Sequence, residues 1–228
     1  MSNSSLICYT KLSPNCNKPR NKPISKITIH HMAGNITIEK CGDIFAPTSR
    51  QASSNYGIGS DGRIGMYVEE KNRAWTSSNA QNDNMAVTIE VANDVVGGDW
   101  HVSDKALESL IDLCVDICIR NGIEKLNFTG DASGNLTMHK WFAATACPGA
   151  YLESKFPYIA NEVNKRLEKE NANMKFKDVP ETHWAYEAIE ELAEKGIING
   201  YEDGTFKPDE AVTRAELATM LNRYINKK

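Results

Sequence analysis

The sequence predicts an α/β domain followed by a small all-α module, and three observations carry that prediction. Short β-branched runs with strand-like alternation recur through the first half of the chain. Long stretches of helical periodicity follow them, over 103–122 and 148–170. From residue 176 the texture changes to two amphipathic helical patterns around a loop full of turn residues. The 228 residues therefore divide into a domain at 1–167, a charged, apolar-poor linker at 168–175, and a module at 176–228.

Residues 1–25 are polar, with Pro14, Pro19 and Pro23, and read as a loop-like arm. "SKITIH" (25–30) is a short strand ending on a histidine, and 53–70 reads as two strands joined at Ser60-Asp61-Gly62. "MAVTIEVAND" (85–94) is a nearly continuous apolar strand interrupted by one glutamate. The helix at 103–122 has Ser103 as N-cap and Gly122 as stop. The helical region at 148–170 opens on Pro148 and is expected to break at Pro157. In the module, helices are expected around 184–195 and 213–225.

Composition narrows the function. Hydrophobic content of 41% and charged content of 25% are those of a soluble globular protein. A net charge of -4 and a pI near 5.8 give no general attraction to nucleic acid or anionic membrane, so neither is expected as a partner. No run approaches the roughly 18 apolar residues of a membrane span. The opening "MSNSSLICYTKLSPNC" lacks a basic n-region and an apolar h-region, so no secretory signal peptide is expected. The six cysteines form no small secreted framework, and reduced thiols are the expectation. Cys114 and Cys118, at i,i+4 on an apolar helix face, read as buried thiols rather than a metal clip.

One segment stands out, "MHKWFAATACPG", which sets His139 eight positions before Cys147. Alone that pair is weak, but "ITIHHMAG" adds a histidine at a strand end, where an imidazole can reach a cleft. Two imidazoles and a thiolate suit zinc (Zn2+), which is tetrahedral and borderline-soft, and three protein ligands leave a fourth position open. Adjacent strand residues face opposite ways, so only one of His30 and His31 can be the ligand. His30 shares its face with Lys26 and Thr28, His31 with Ile27 and Ile29, which favours His30 as ligand and His31 as a packed neighbour. His101 reads as a surface loop residue, and His183 belongs to the module. Glu90, inside "AVTIEVA", is costly there unless paired or functional. Its plain alternative is a solvent-facing strand residue; three zinc ligands favour a proton acceptor.

With "ITIHHMAG", "SSNYGIGSDGRI", "VTIEVAND" and "MHKWFAATACPG" in this order, the first domain resembles the zinc-dependent N-acetylmuramoyl-L-alanine amidases. That group includes many phage endolysins and shares its fold with peptidoglycan-recognition proteins. The resemblance implies a central mixed β-sheet flanked by helices, with zinc at the mouth of a groove. It implies His30, His139 and Cys147 as metal ligands and Glu90 as the catalytic carboxylate. It implies peptidoglycan as substrate, cut by zinc-activated water between N-acetylmuramic acid and L-alanine. Two positions before the cysteine, where members carry lysine or threonine, stands Thr145, whose hydroxyl would assist the oxyanion less than a charged lysine does. A catalytic tyrosine of some relatives aligns with Ser54, and Tyr56 would substitute only in part, leaving Glu90 the better base. The rival is a non-catalytic peptidoglycan-binding recognition protein; such relatives typically lose the zinc cysteine, which is present here. Without a signal, an endolysin-like protein made in the cytoplasm and released through the membrane fits better than an exported one.

"FKDVPETHWAYEAI", "GIINGYEDGTFKP" and "VTRAELATML" resemble a surface-layer homology module. That resemblance implies anchoring on a secondary cell-wall polymer, often pyruvylated. Trp184 is then a candidate stacking platform and Arg214 a candidate for a carboxylate or phosphate. Plain core for Trp184 and an ion pair for Arg214 are the alternatives. Such modules usually pack in threes, and this sequence carries one. Its apolar faces, including Ile189, Leu192, Leu217 and Leu221, are expected to stay partly uncovered and to drive self-association, with a trimer as product.

Overall fold

The computed structural model describes residues 2–173, 175–181 and 183–226. It divides into two units, Met1–Arg166 and Leu167–Lys228. In the first unit the strands are β1 (Tyr9–Thr10), β2 (Cys16–Asn17), β3 (Lys26–His31), β4 (Tyr56–Ile58), β5 (Ile64–Met66), β6 (Arg73–Ala74), β7 (Ala86–Val91) and β8 (Leu136–Met138). The helices are α1 (Ile38–Phe45), α2 (Ala80–Met85) and α3 (Asp104–Asn121), and α4 (Ala150–Asn173) begins in this unit and ends past its boundary. Six strands form one sheet in the order β1-β5-β4-β7-β3-β8, and β2 pairs with β6 separately. Only β4 and β5 run antiparallel within the six, so the sheet is mixed, as expected.

The central position of β3 explains its sequence. Parallel strands covered on both faces cannot alternate apolar with polar in the usual way. Ile27 and Ile29 are fully buried on one face, and Thr28 and His30 are buried on the other. Thr28 pairs in register with Thr88 and Thr137, and the Thr28 and Thr137 hydroxyls lie 2.8 Å apart. Burial of these polar groups is tolerable because they satisfy one another. Helix α3 lies against β4 and β7, burying Leu107, Leu110, Ile111, Leu113, Ile117 and both expected thiols, Cys114 and Cys118. Its ends are those the sequence predicts. Ser103 Oγ accepts from Ala106 N, and Gly122, at φ +65, ends the helix while Ile123 N returns to Cys118 O.

Three expectations are corrected. Helix α4 runs unbroken through Pro157, because Phe156, Ile159, Ala160 and Val163 are buried and their packing outweighs the one backbone bond proline cannot make. The same helix continues to Asn173, so most of the linker expected at 168–175 is helical; its Glu and Lys are good helix formers. Residue 174 of that linker lies outside the described residues. The arm expected at 1–25 is, over its described residues 2–25, a built part of the unit, with Ser4, Ser13, Asn15 and Arg20 buried. The Arg20 guanidinium donates to the carbonyls of Glu70, Asn84 and Asn72 at 2.6, 2.8 and 3.1 Å.

A buried ionic knot sits beside this arm. Arg120 donates in bidentate fashion to Glu70 at 2.6 and 2.9 Å, with side-chain exposures of 5% and 0%. The Tyr56 hydroxyl donates to Glu70 Oε1 at 2.6 Å and accepts from Ser4 N at 3.0 Å.

In the second unit both expected helices form, α5 (Tyr186–Glu194) and α6 (Arg214–Asn226). Phe176, Val179, Ile189, Ala193, Ile197 and Ile198 make its core, with Leu192, Phe206 and Met220 packed on it. The Asp178 carboxylate accepts from Phe206 N and Lys207 N, both at 2.7 Å, which fastens the loop between the helices. Ile189 is thus covered within one copy, contrary to expectation, and Leu192 is covered in part, whereas Leu217 and Leu221 are 48% and 52% exposed. Residues 182, 227 and 228 of the expected module lie outside the described residues. Among the described residues no helix is long and apolar enough to cross a membrane.

Candidate metal centre

Register brings the predicted residues together. In the parallel pair β3–β7, His30 stands beside Glu90, and Gly57 of β4 follows on the far side of Glu90. On the other flank Ile29 pairs with Met138 at the end of β8, so the chain enters the short 3₁₀ turn His139–Trp141 next to His30. The two imidazole centroids are 4.6 Å apart. The chain then doubles back, with Lys140 N donating to Cys147 O at 3.1 Å, and delivers the cysteine to the same spot. Cys147 Sγ lies 3.7 Å from His30 Nδ1. One donor atom from each of His30, His139 and Cys147 falls within 4.8 Å of the other two. Tetrahedral N and S ligands of zinc stand roughly 3.3–3.8 Å apart, so a small contraction would close this set on an ion.

The electrostatics suit a cation. His30 Nε2 and His139 Nε2 are buried without a hydrogen-bond partner. Burial, with His139 and His31 alongside, holds His30 well below the ordinary imidazole value, and burial lowers His139 too, against an opposing pull from Asp83. Both rings are therefore neutral at pH 7 with lone pairs to offer. Burial and the nearby Glu90 raise the Cys147 thiol, while the His31 amide pulls it down. Burial pushes Glu90 up to about 8, with Arg50 opposing. A divalent ion nearby inverts that balance, favouring thiolate and carboxylate.

The other predicted residues fall as follows. Thr145 is exposed, and its Oγ1 accepts from Cys147 N at 3.2 Å, so its own proton is free for another acceptor. Tyr56 is fully buried and spends its hydroxyl on Glu70 and Ser4, so it cannot stand in as a base. Ser54 is also buried, donating to the carbonyls of Thr88 and Tyr56. His31 is half-buried beside the site, as a packed neighbour. His101 is less free than a surface loop residue, with Nδ1 2.7 Å from Asp94 and its ring 4.3 Å from Tyr151. In the second unit Trp184 is 88% exposed and absent from the core, and Arg214 is exposed at the start of α6. Sequence reasoning missed the backbone N–H of His31, which donates to Cys147 Sγ at 3.4 Å. No residue pattern marks a bond made by main chain.

Sequence comparison adds independent findings. The profile of the N-acetylmuramoyl-L-alanine amidases matches residues 20–150, and that of the S-layer homology domain matches residues 175–218. The cellulosome-anchoring protein of Acetivibrio thermocellus is 44% identical over 57 residues, which are 25% of this chain and 13% of that protein's length. Among solved structures, a selenomethionine derivative of AmpD aligns with a TM-score of 0.54 at 17% identity, covering 69% of this chain and 96% of that one. A mutant endolysin from Bacillus subtilis aligns at 0.52 and 15% identity, covering 68% and 97%. At such identities the likeness is one of fold.

Proposed function

The chain belongs to the N-acetylmuramoyl-L-alanine amidase family, and from that premise we propose that it hydrolyses the amide between N-acetylmuramic acid and L-alanine in peptidoglycan. The observation that carries the reading is the convergence of His30, His139 and Cys147 beside Glu90. Two unpartnered imidazole nitrogens and a thiol within reach of one another fit zinc, and these three residues would hold it. When bound, zinc supplies Lewis-acid chemistry, polarising the scissile carbonyl and acidifying water.

The protein's own groups do the rest. Glu90, from the neighbouring strand, takes a proton from the attacking water on a carboxylate oxygen and delivers it to the departing nitrogen of L-alanine. A carboxyl already raised to about 8, and drawn down by a dication, is tuned near neutral pH, where it can both accept and return that proton. Thr145 donates its free hydroxyl proton to the developing oxyanion, a modest contribution because the group is uncharged. The imidazoles need lose no proton to bind a metal, and Cys147 gives one up.

Residues 176–228 grip a secondary cell-wall polymer, Trp184 stacking on a sugar and Arg214 meeting a carboxylate or phosphate. The open position of both side chains supports this. The exposed Leu217 and Leu221 support self-association of the module, with a trimer as the product. A purely recognising role has less support, because it leaves the buried thiol of Cys147 without a task. Mass spectrometry of digested cell walls tests the reading. The expected products are glycan strands freed of stem peptides that begin with an L-alanine amine. New reducing sugar ends, or cuts inside the stem peptide, would overturn it.

A further inference from the structure

The end of β3 carries a second imidazole that the proposed chemistry does not use. His31 meets the ring of Trp100 edge-on, centroids 5.2 Å apart at 90°. On another side it presses on Gly149. A Cβ there would come within 3.2 Å of His31 Nδ1, 3.3 Å of its Cε1 and 2.9 Å of Trp100 Cβ. Gly149 also has φ +86, a conformation side chains resist, so this close approach is built on glycine. The backbone N–H of His31 donates to Cys147 Sγ at 3.4 Å, across 116 residues of sequence. One residue is therefore bonded to His30 through the chain, hydrogen-bonded to the Cys147 sulfur, and packed on the glycine two positions beyond that cysteine.

We infer that His31 is a positioning residue for the metal ligands. Its ring, wedged against Trp100 and Gly149, holds its own N–H on the Cys147 sulfur and so fixes where that sulfur sits relative to His30. The inference rests on the zinc reading above. A sulfur that ligates as thiolate is a charged acceptor, for which an N–H bond is stronger than for a thiol. Cys147 lies in a turn, outside any ladder of helix or strand bonds; Lys140 N and Thr145 Oγ1 hold its backbone, and the His31 N–H adds a bond to the sulfur itself. Groups that orient a ligand without touching the metal govern affinity by this route.

Cobalt loaded into the full-length protein tests the inference, because thiolate-to-cobalt charge transfer reports sulfur ligation directly. His31→Ala removes the wedge; His31→Phe keeps a flat ring but no nitrogen. The expected result is a weakened charge-transfer band and zinc affinity reduced about 10–100-fold in the alanine variant, with both restored in the phenylalanine variant. Thermal melts of the metal-free proteins check folding. Should the alanine variant unfold, a phenylalanine variant with native band and affinity still supports the wedge. An unchanged band and affinity in a folded His31→Ala overturns the inference alone. A phenylalanine variant as weak as the alanine one also overturns it, moving the role to the imidazole nitrogens. A native protein with no thiolate band overturns the zinc reading and this inference together.

Discussion

Replacing Glu90 with glutamine should make the protein sturdier and nearly inactive at once. The carboxyl is raised by burial from its ordinary 4.5 to about 8, so the folded chain resists its ionisation. At pH 7 the unfolded chain carries the charge and the metal-free folded chain mostly does not. At about 1.36 kcal/mol per pH unit that mismatch costs roughly 3 kcal/mol, and we halve it to about 1.5 because the residue keeps some contact with solvent. The sign follows from linkage: the penalty is absent below pH 4.5, grows as pH rises, and levels off above about 8. Glutamine keeps the shape and never ionises. Urea titrations of chelated protein should therefore give equal stabilities at pH 4.5 and an advantage for Glu90→Gln of about 1.5 kcal/mol at pH 7. Turnover should fall by about 10²–10⁴ as acid–base catalysis is lost, with zinc content intact. Stabilities that stay equal up to pH 8 would refute the buried-carboxyl argument, and near-normal lysis would assign the proton to another group.

Other expectations are as direct. Elemental analysis should find one zinc per chain, with His139→Ala losing it; zinc kept by that variant would remove His139 from the ligand set. Zinc at a thousandfold excess over its Kd should add about 4 kcal/mol to the stability of the chelated protein, read by thermal melts. Arg120→Met should cost about 3–5 kcal/mol by stranding buried Glu70, and adding Glu70→Gln should recover much of that loss; a single-variant cost below about 1 kcal/mol would mean the pair is idle. Trp184→Ala and Arg214→Ala should each loosen retention on intact walls while leaving hydrolysis of solubilised peptidoglycan unchanged. Light scattering should find the full chain associated at micromolar concentration and a chain ending at Glu170 monomeric and active; a strictly monomeric full chain would mean that the module satisfies its own surface.

What the sequence reveals depends on which physical signal each element leaves. Helix α3 is legible end to end because a cap, a periodic face and a terminal glycine all lie within it. The convergence of His30, His139 and Cys147 is legible because imidazole and thiol are rare side chains whose chemistry restricts their company. The two-residue strands β1, β2 and β6 leave no period to detect. The arm eludes pattern because Ser4, Asn15 and Arg20 are held by hydrogen bonds to distant carbonyls and hydroxyls rather than by apolar contact. Pro157 misleads because local backbone cost is read from sequence, whereas the compensating burial of Phe156 and Val163 exists only in the fold.

The long sequence separation between the proposed ligands has a bearing on durability. His30 and Cys147 lie 117 positions apart, and all six cysteines are free thiols. An ion shared by those two residues closes a loop as long as those that disulfides close in secreted proteins, yet it can form where thiols stay reduced. Closing so long a loop removes much freedom from the unfolded chain, and the penalty grows only slowly with further length. Metal would then serve as a reversible clasp for the whole first unit. Sequestration of zinc by the surroundings would limit the working life of the protein by loosening its fold, before any question of turnover arises.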